Sequence, residues 1–167
     1  MQTDLDRRRF LTLSAAATGG ALALWSCRGS AARAAEHYPV TLTDAQWRAK
    51  LSPAAYRVLR EEDTEPPFSS PLDHEHRAGT FACAGCAHPL YSSRTKFDSG
   101  TGWPSFWAPL PSAVAAREDS TLGMTRTEIH CRRCGGHLGH VFDDGPKPTG
   151  KRYCMNGVAL TFRPKKA

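Results

Sequence analysis

Two Cys-x-x-Cys turns, Cys83-Ala84-Gly85-Cys86 and Cys131-Arg132-Arg133-Cys134, stand forty-four residues apart in a chain of 167. Each turn offers two thiolates at a spacing that suits tetrahedral zinc, with Zn–S bonds of about 2.3 Å. A chain that binds one ion through all four sulfurs must therefore bring two distant turns together. Gly85 and the Gly135-Gly136 pair supply the loose backbone such knuckles need. Four sulfurs complete the coordination sphere, so the predicted site is one structural Zn2+ with no position left for water. Disulfides are the rival reading of these cysteines, and the paired knuckles favour the metal. A zinc deaminase pattern fails on its own motif, because Ala82 and His130 precede the turns where His-x-Glu and Pro-Cys would be required. His88 and His130 read as local hydrogen-bonding groups, and His74 and His76 as residues of a solvated loop.

The formal net charge is +6. Arg7, Arg8, Arg9, Arg28 and Arg33 against Asp4 and Asp6 place half of it in the first 34 residues. Four thiolates on Zn2+ remove two further units. The folded domain is thus nearly neutral and lacks the dense basic patch of a nucleic-acid binder. Arg7-Arg8-Arg9-Phe10-Leu11 precedes an apolar run, Leu11 to Trp25, that is short for a bilayer span. Small residues follow at Ala32 and Ala34, where a signal peptidase reads them. The segment resembles a twin-arginine leader. Residues 1–34 are accordingly read as a signal peptide cut after Ala34, and 35–167 as an exported, periplasmic domain without a membrane span. A retained anchor is the alternative. Cys27 makes a poor lipoprotein site, because bulky Trp25 stands between Leu24 and Ser26.

Thr43-Asp44-Ala45-Gln46 has the form of a capping box, and Ser52-Pro53 is a second cap. Short helices are expected over 44–50 and 53–61. Pro66-Pro67, Pro71 and Gly79 then end the helical signal. Prolines and glycines spread along the rest of the chain, favouring short strands over long helices. Strands are predicted over 80–82, 89–92, 105–107, 113–117, 124–130, 136–142, 152–156 and 158–162, giving a mainly β domain.

With four cysteines on metal and Cys27 in the leader, Cys154 is left over in Lys151-Arg152-Tyr153-Cys154-Met155-Asn156, and a leftover thiol in an exported protein points to reactivity. Strand alternation puts Arg152, Cys154 and Asn156 on one face, with Tyr153 and Met155 on the other. A guanidinium beside a thiol lowers its pKa, and Asn156 adds a neutral donor. A buried structural cysteine is the plainer alternative. Upstream, Gly136-His137-Leu138-Gly139-His140-Val141-Phe142-Asp143-Asp144 puts His140 and Phe142 on one strand face, and Asp144 begins the turn back toward Cys154. His and Asp suit proton delivery near neutral pH. Trp103, in Phe97-Asp98-Ser99-Gly100-Thr101-Gly102-Trp103-Pro104-Ser105-Phe106, is a candidate pocket wall or a core residue.

The segments KFDSGTGWPSF, CRRCGGHLGHVFDDGPKPTG and RYCMN, with TEPPF at Thr64–Phe68, resemble the methionine-R-sulfoxide reductase B family over residues 42–163. The resemblance implies a β-tent-like fold of two antiparallel sheets, a structural zinc, and reduction of the R epimer of methionine sulfoxide in proteins. By position, Cys154 matches the nucleophile, and His140, Asp144, Arg152 and Asn156 match its supporting polar groups. His137 matches a helper in oxygen protonation, and Trp103 the methyl-binding aromatic, with Phe142 beside it as substrate wall. Many members carry a resolving cysteine where this chain has Thr101. The expected reductant is therefore an external thiol, of the thioredoxin class. Two rivals are a non-catalytic zinc-stabilised β domain that binds a ligand or protein tail, and a thiol oxidoreductase working through one Cys-x-x-Cys pair.

Overall fold

The computed structural model describes residues 37–166 apart from 121, 122 and 124. The leader, its cleavage site, Cys27 and Met124 lie outside the described residues. The first helix, α1 (Asp44–Lys50), starts at a complete capping box: the Thr43 side chain accepts from the Gln46 amide, and the Thr43 amide donates to the Gln46 side chain. In α2 (Pro53–Glu61) the Ser52 hydroxyl accepts from the Ala55 amide and Pro53 opens the first turn, where its missing N–H costs nothing. Both helices lie where their caps place them in the sequence. Ala55, Tyr56, Val58 and Leu59 form the buried side of α2.

Nine antiparallel strands follow among the described residues. One sheet has the order β2 (Pro89–Ser92), β1 (Gly79–Cys83), β9 (Leu160–Pro164). The other runs β3 (Lys96–Phe97), β4 (Ser105–Phe106), β8 (Arg152–Met155), β7 (His137–Phe142), β6 (Arg126–Cys131), β5 (Val114–Asp119). Two antiparallel sheets with short leading helices are the architecture expected. Two differences have local causes. The strand expected from 158 begins at Leu160 because Gly157–Ala159 forms a 3-10 turn with Asn156 as its N-cap, which also takes Asn156 out of β8. β3 has only two residues, too few for an alternation signal.

Side chains from both sheets meet in one core. Phe81 of β1 lies edge-on to Phe106 of β4 at 4.9 Å between ring centroids, and Tyr91 of β2 stacks on the same ring at 4.3 Å. As alternation requires, Met155 is fully buried and accepts a hydrogen bond from the Tyr91 hydroxyl, and the Tyr153 ring also approaches Tyr91. The opposite face of β8 is left to Cys154, which pairs with Ser105 on one side and His140 on the other. Gly139 makes that pairing possible, since a Cβ there would stand 2.1 Å from the Cys154 carbonyl oxygen. Phe106 has no exposed surface and touches both sheets, so Phe106→Ala should cost roughly 3–5 kcal/mol, measured as a lowered midpoint in guanidinium unfolding.

Candidate functional site

Cys83 ends β1 in one sheet, and Cys131 ends β6 in the other. With Cys86 and Cys134 their sulfurs all lie within 4.8 Å of one another. The closest contacts, Cys83 to Cys134 at 3.7 Å and Cys86 to Cys131 at 3.6 Å, are far longer than the ~2.05 Å of a disulfide. They match the edge of about 3.8 Å that a tetrahedron of sulfurs takes around a metal with 2.3 Å bonds. Hydrogen bonding among the crowded sulfurs is the leading cause that pushes the Cys83 and Cys134 thiols up and the Cys86 and Cys131 thiols down. The group fits one tetrahedral metal ion. The N-terminal segment packs over it: a Cβ on Gly85 would touch Trp47 and Leu59, the Val40 amide donates to the Arg133 carbonyl, and Arg60 donates to the Cys134 carbonyl.

A second site lies at Cys154. A cleft of about 140 Å³ is lined by Thr64, Trp103, Arg126, Gly139, His140, Phe142, Cys154 and Asn156. Cys154 of β8, His140 and Phe142 of β7, and Trp103 converge on this cleft, while Arg152 does not line it. A larger groove of about 530 Å³ runs over the other sheet past Gly79, Ser92 and Arg163, with no thiol or imidazole in its walls.

Burial pushes the Cys154 thiol above its ordinary value, and the Thr101 hydroxyl, the Arg152 guanidinium and the Ser105 hydroxyl pull it back only in part. The expected depression by Arg152 is thus present but outweighed by desolvation. Arg152 lies over the Phe142 ring at 4.4 Å and binds Asp144 through two bonds, 2.9 and 2.8 Å. Those bonds hold the Asp144 carboxyl below the usual range, and that side chain is mostly exposed and does not line the cleft. Asp144 therefore aims Arg152.

Asn156 differs from the free donor expected. Its amide nitrogen donates to the Leu138 carbonyl at 3.1 Å, and its oxygen accepts from the Glu65 amide at 2.9 Å. Glu65 in turn accepts the Trp103 indole N–H on its carbonyl at 3.1 Å, and its buried carboxylate accepts from the Gly157 and Val158 amides. Burial pushes that carboxyl up against the pull of the two amides. Glu65 is accordingly what sets the indole; the TEPPF segment contains it, but nothing in that segment announces this role.

The two histidines have separate surroundings. His140 Nε2 meets Asp119 at 2.9 Å, and Arg126 pairs with the same carboxylate oxygen at 2.7 Å. Burial lowers the His140 pKa despite Asp119, leaving a neutral ring whose Nε2–H donates to the carboxylate. His137 is buried behind it, 5.4 Å away between ring centroids. It does not line the cleft beside Cys154, but shares with His140 an adjoining cavity that also includes Asp119, Arg126 and Glu128. His137 Nδ1 meets Glu128 at 2.8 Å, while its Nε2 is buried without a hydrogen-bond partner among the described residues. Asp119, Arg126 and Glu128 were missed by sequence reasoning. Alternating charges along β5 and β6 are the signal that marks them.

Residues 51–164 match the family model described as the SelR domain. This match defines the class. Proteins named peptide methionine sulfoxide reductase MsrB from Thiobacillus denitrificans, Bradyrhizobium diazoefficiens and Methanosarcina barkeri are 58%, 56% and 50% identical to the chain. The alignments cover 74%, 75% and 74% of this chain and 94%, 91% and 88% of those proteins. The chain belongs to the SelR-domain family of MsrB-type methionine sulfoxide reductases.

Glu128 yields a pH prediction. Burial pushes its carboxyl up, but the His137 and Arg117 contacts together outweigh that and leave it below the ordinary 4.5. Its stabilisation is complete above that value and is lost as pH falls through the lower folded-state pKa. Glu128→Gln should therefore destabilise the fold near neutral pH and flatten the loss of stability below about pH 4.5, read from urea midpoints across an acid series.

Proposed function

We propose that this chain reduces the R epimer of methionine sulfoxide in proteins, with Cys154 as nucleophile. The observation that carries the reading is the convergence of Cys154, Trp103, Phe142 and His140 on one small cleft. Trp103 and Phe142 form aromatic walls suited to the S-methyl group, and the sulfoxide sulfur sits against Cys154. The Cys154 thiolate attacks that sulfur while a proton taken up from solvent reaches the sulfoxide oxygen through the His137–His140 pair. Two electrons pass to the substrate, methionine leaves, and Cys154 becomes a sulfenic acid. Asp144 holds Arg152 beside the sulfur and gives up no proton. Asn156 works through Glu65 to position Trp103.

The residue nearest the thiol on the Trp103 loop is Thr101, its Oγ1 3.9 Å from the sulfur. A hydroxyl forms no disulfide, so an external thiol reduces the sulfenic acid, releasing water and then a disulfide. A donor of the thioredoxin class suits this step. Zinc is the metal that the four sulfurs suit best, since thiolate sets of four at these separations are its structural environment. It would be held by Cys83, Cys86, Cys131 and Cys134 and serve folding, not chemistry. The Arg7-Arg8-Arg9 leader supports export by the twin-arginine route to the periplasm, where oxidised methionine in folded proteins is the substrate. Among the described residues no helix is long and apolar enough to cross a membrane.

Turnover of separated R and S epimers with dithiothreitol tests the reading. The R epimer alone should be consumed, Cys154→Ser should lose at least about a thousandfold in kcat/KM, as loss of a covalent nucleophile does, and oxidised protein should show no internal disulfide. Consumption of R sulfoxide by Cys154→Ser at the native rate overturns the assignment. Native mass spectrometry of exported protein should show a chain beginning at Ala35 carrying one zinc. An acylated Cys27, or a metal-free chain that melts at the same temperature as the loaded one, contradicts the corresponding part.

A further inference from the structure

Beside the sulfur lies a row of hydroxyls that the reaction described above does not use. Thr101 Oγ1 is 3.9 Å from Cys154 Sγ, Ser99 Oγ is 2.8 Å from Thr101 Oγ1, and Ser105 Oγ is 2.8 Å from Ser99 Oγ. Ser105 also lies within 3.1 Å of the Trp103 carbonyl oxygen and is fully buried directly opposite Cys154 in the β4–β8 pairing.

Each hydroxyl has one hydrogen to donate and can accept as well. With Cys154 as a thiol the row is satisfied in one direction. The S–H donates to Thr101, Thr101 to Ser99, Ser99 to Ser105, and Ser105 to the Trp103 carbonyl. An ionised sulfur only accepts, and the row then turns: Thr101 donates to the sulfur, Ser99 to Thr101, and Ser105, which also reaches the sulfur, gives its one hydrogen either to Ser99 or to the sulfur itself. No proton escapes along it, because its far end is a carbonyl; the thiol proton goes to solvent.

Resting on the reading of Cys154 as nucleophile, we propose that Thr101, Ser99 and Ser105 form a reversible hydrogen-bond chain that solvates the sulfur anion at its partly buried position. Thr101 touches the sulfur, and Ser99 is a positioning residue that orients it. The charged or titratable groups around the sulfur come from other elements: Arg152 on its own strand, His140 on β7 and Arg126 on β6. The groups that bond it from β4 and its loop are neutral. The two contributions therefore separate by salt, which screens the charges and leaves the hydroxyls alone.

The test is the pH dependence of iodoacetamide alkylation at Cys154, read on its own peptide by mass spectrometry in the intact, metal-loaded protein. The native midpoint should lie above that of an ordinary exposed cysteine. Thr101→Val should raise it by about half a unit or more, equivalent to about threefold slower alkylation at pH 8, equally at low and high salt. Thr101→Ser should restore it, and Ser99→Ala, which leaves the sulfur's immediate neighbours in place, should raise it by a smaller amount. In turnover, kcat should fall with the same displacement in pH while KM stays constant. Native midpoints in both Thr101→Val and Ser99→Ala, with native melting, overturn the proposal, as does a shift that vanishes in high salt. The nucleophile assignment fails separately, on turnover by Cys154→Ser.

Discussion

The surroundings of the Cys154 sulfur depend on one buried glutamate. Glu65 joins three stretches of chain far apart in sequence: its carboxylate accepts the amides of Gly157 and Val158, its own amide reaches the Asn156 side chain, and its carbonyl holds the Trp103 indole. Each of these groups would cost about 1–3 kcal/mol if left buried and unpaired. They are mutually satisfied, so the segment after Cys154, the aromatic wall and the loop after α2 are fixed together. An indole placed by a backbone carbonyl has a set angle to the thiol.

The four-sulfur cluster fixes the two sheets at another place. It draws the end of β1 to the end of β6, strands that share no ladder, and α1 and α2 cover it through Trp47 and Leu59. Its charge balance follows the same chemistry: four thiolates are tolerable in a largely buried position only with a cation at their centre.

Across β5, β6 and β7 two parallel sets of groups repeat a single plan. Arg126 and Asp119 hold His140, and Arg117 and Glu128 hold His137. In each set a carboxylate fixes which imidazole nitrogen carries hydrogen, and an arginine pairs with that carboxylate. The sets differ in access, for His140 faces the cleft while His137 faces the adjoining cavity. Strand alternation along β7 shows that His140 and Phe142 share a side, but the partners sit on β5 and β6, and their register follows from pairings such as Asp119 with Arg126.

Local rules therefore made some parts legible and left others hidden. A capping box at Thr43 and a Ser52-Pro53 cap place the two helices, because a cap is satisfied within four residues. Paired Cys-x-x-Cys turns announce the metal site, since coordination chemistry demands all four sulfurs whatever the fold. Period-two alternation puts Cys154 opposite Met155. Asn156 and Asp144 are different: residue type suggests donors to substrate, while the structure engages one with backbone and the other with Arg152.

By itself the sequence determined the element types, the ligand set and the one unassigned thiol, all of which rest on contacts between near neighbours or on fixed valence. Only the tertiary structure decided the state of that thiol. Its protonation balances burial, set by the whole packed domain, against Arg152, Thr101 and Ser105, two of which arrive from another strand and its loop. Desolvation has no sequence signature, because it is the sum of every atom that keeps water away.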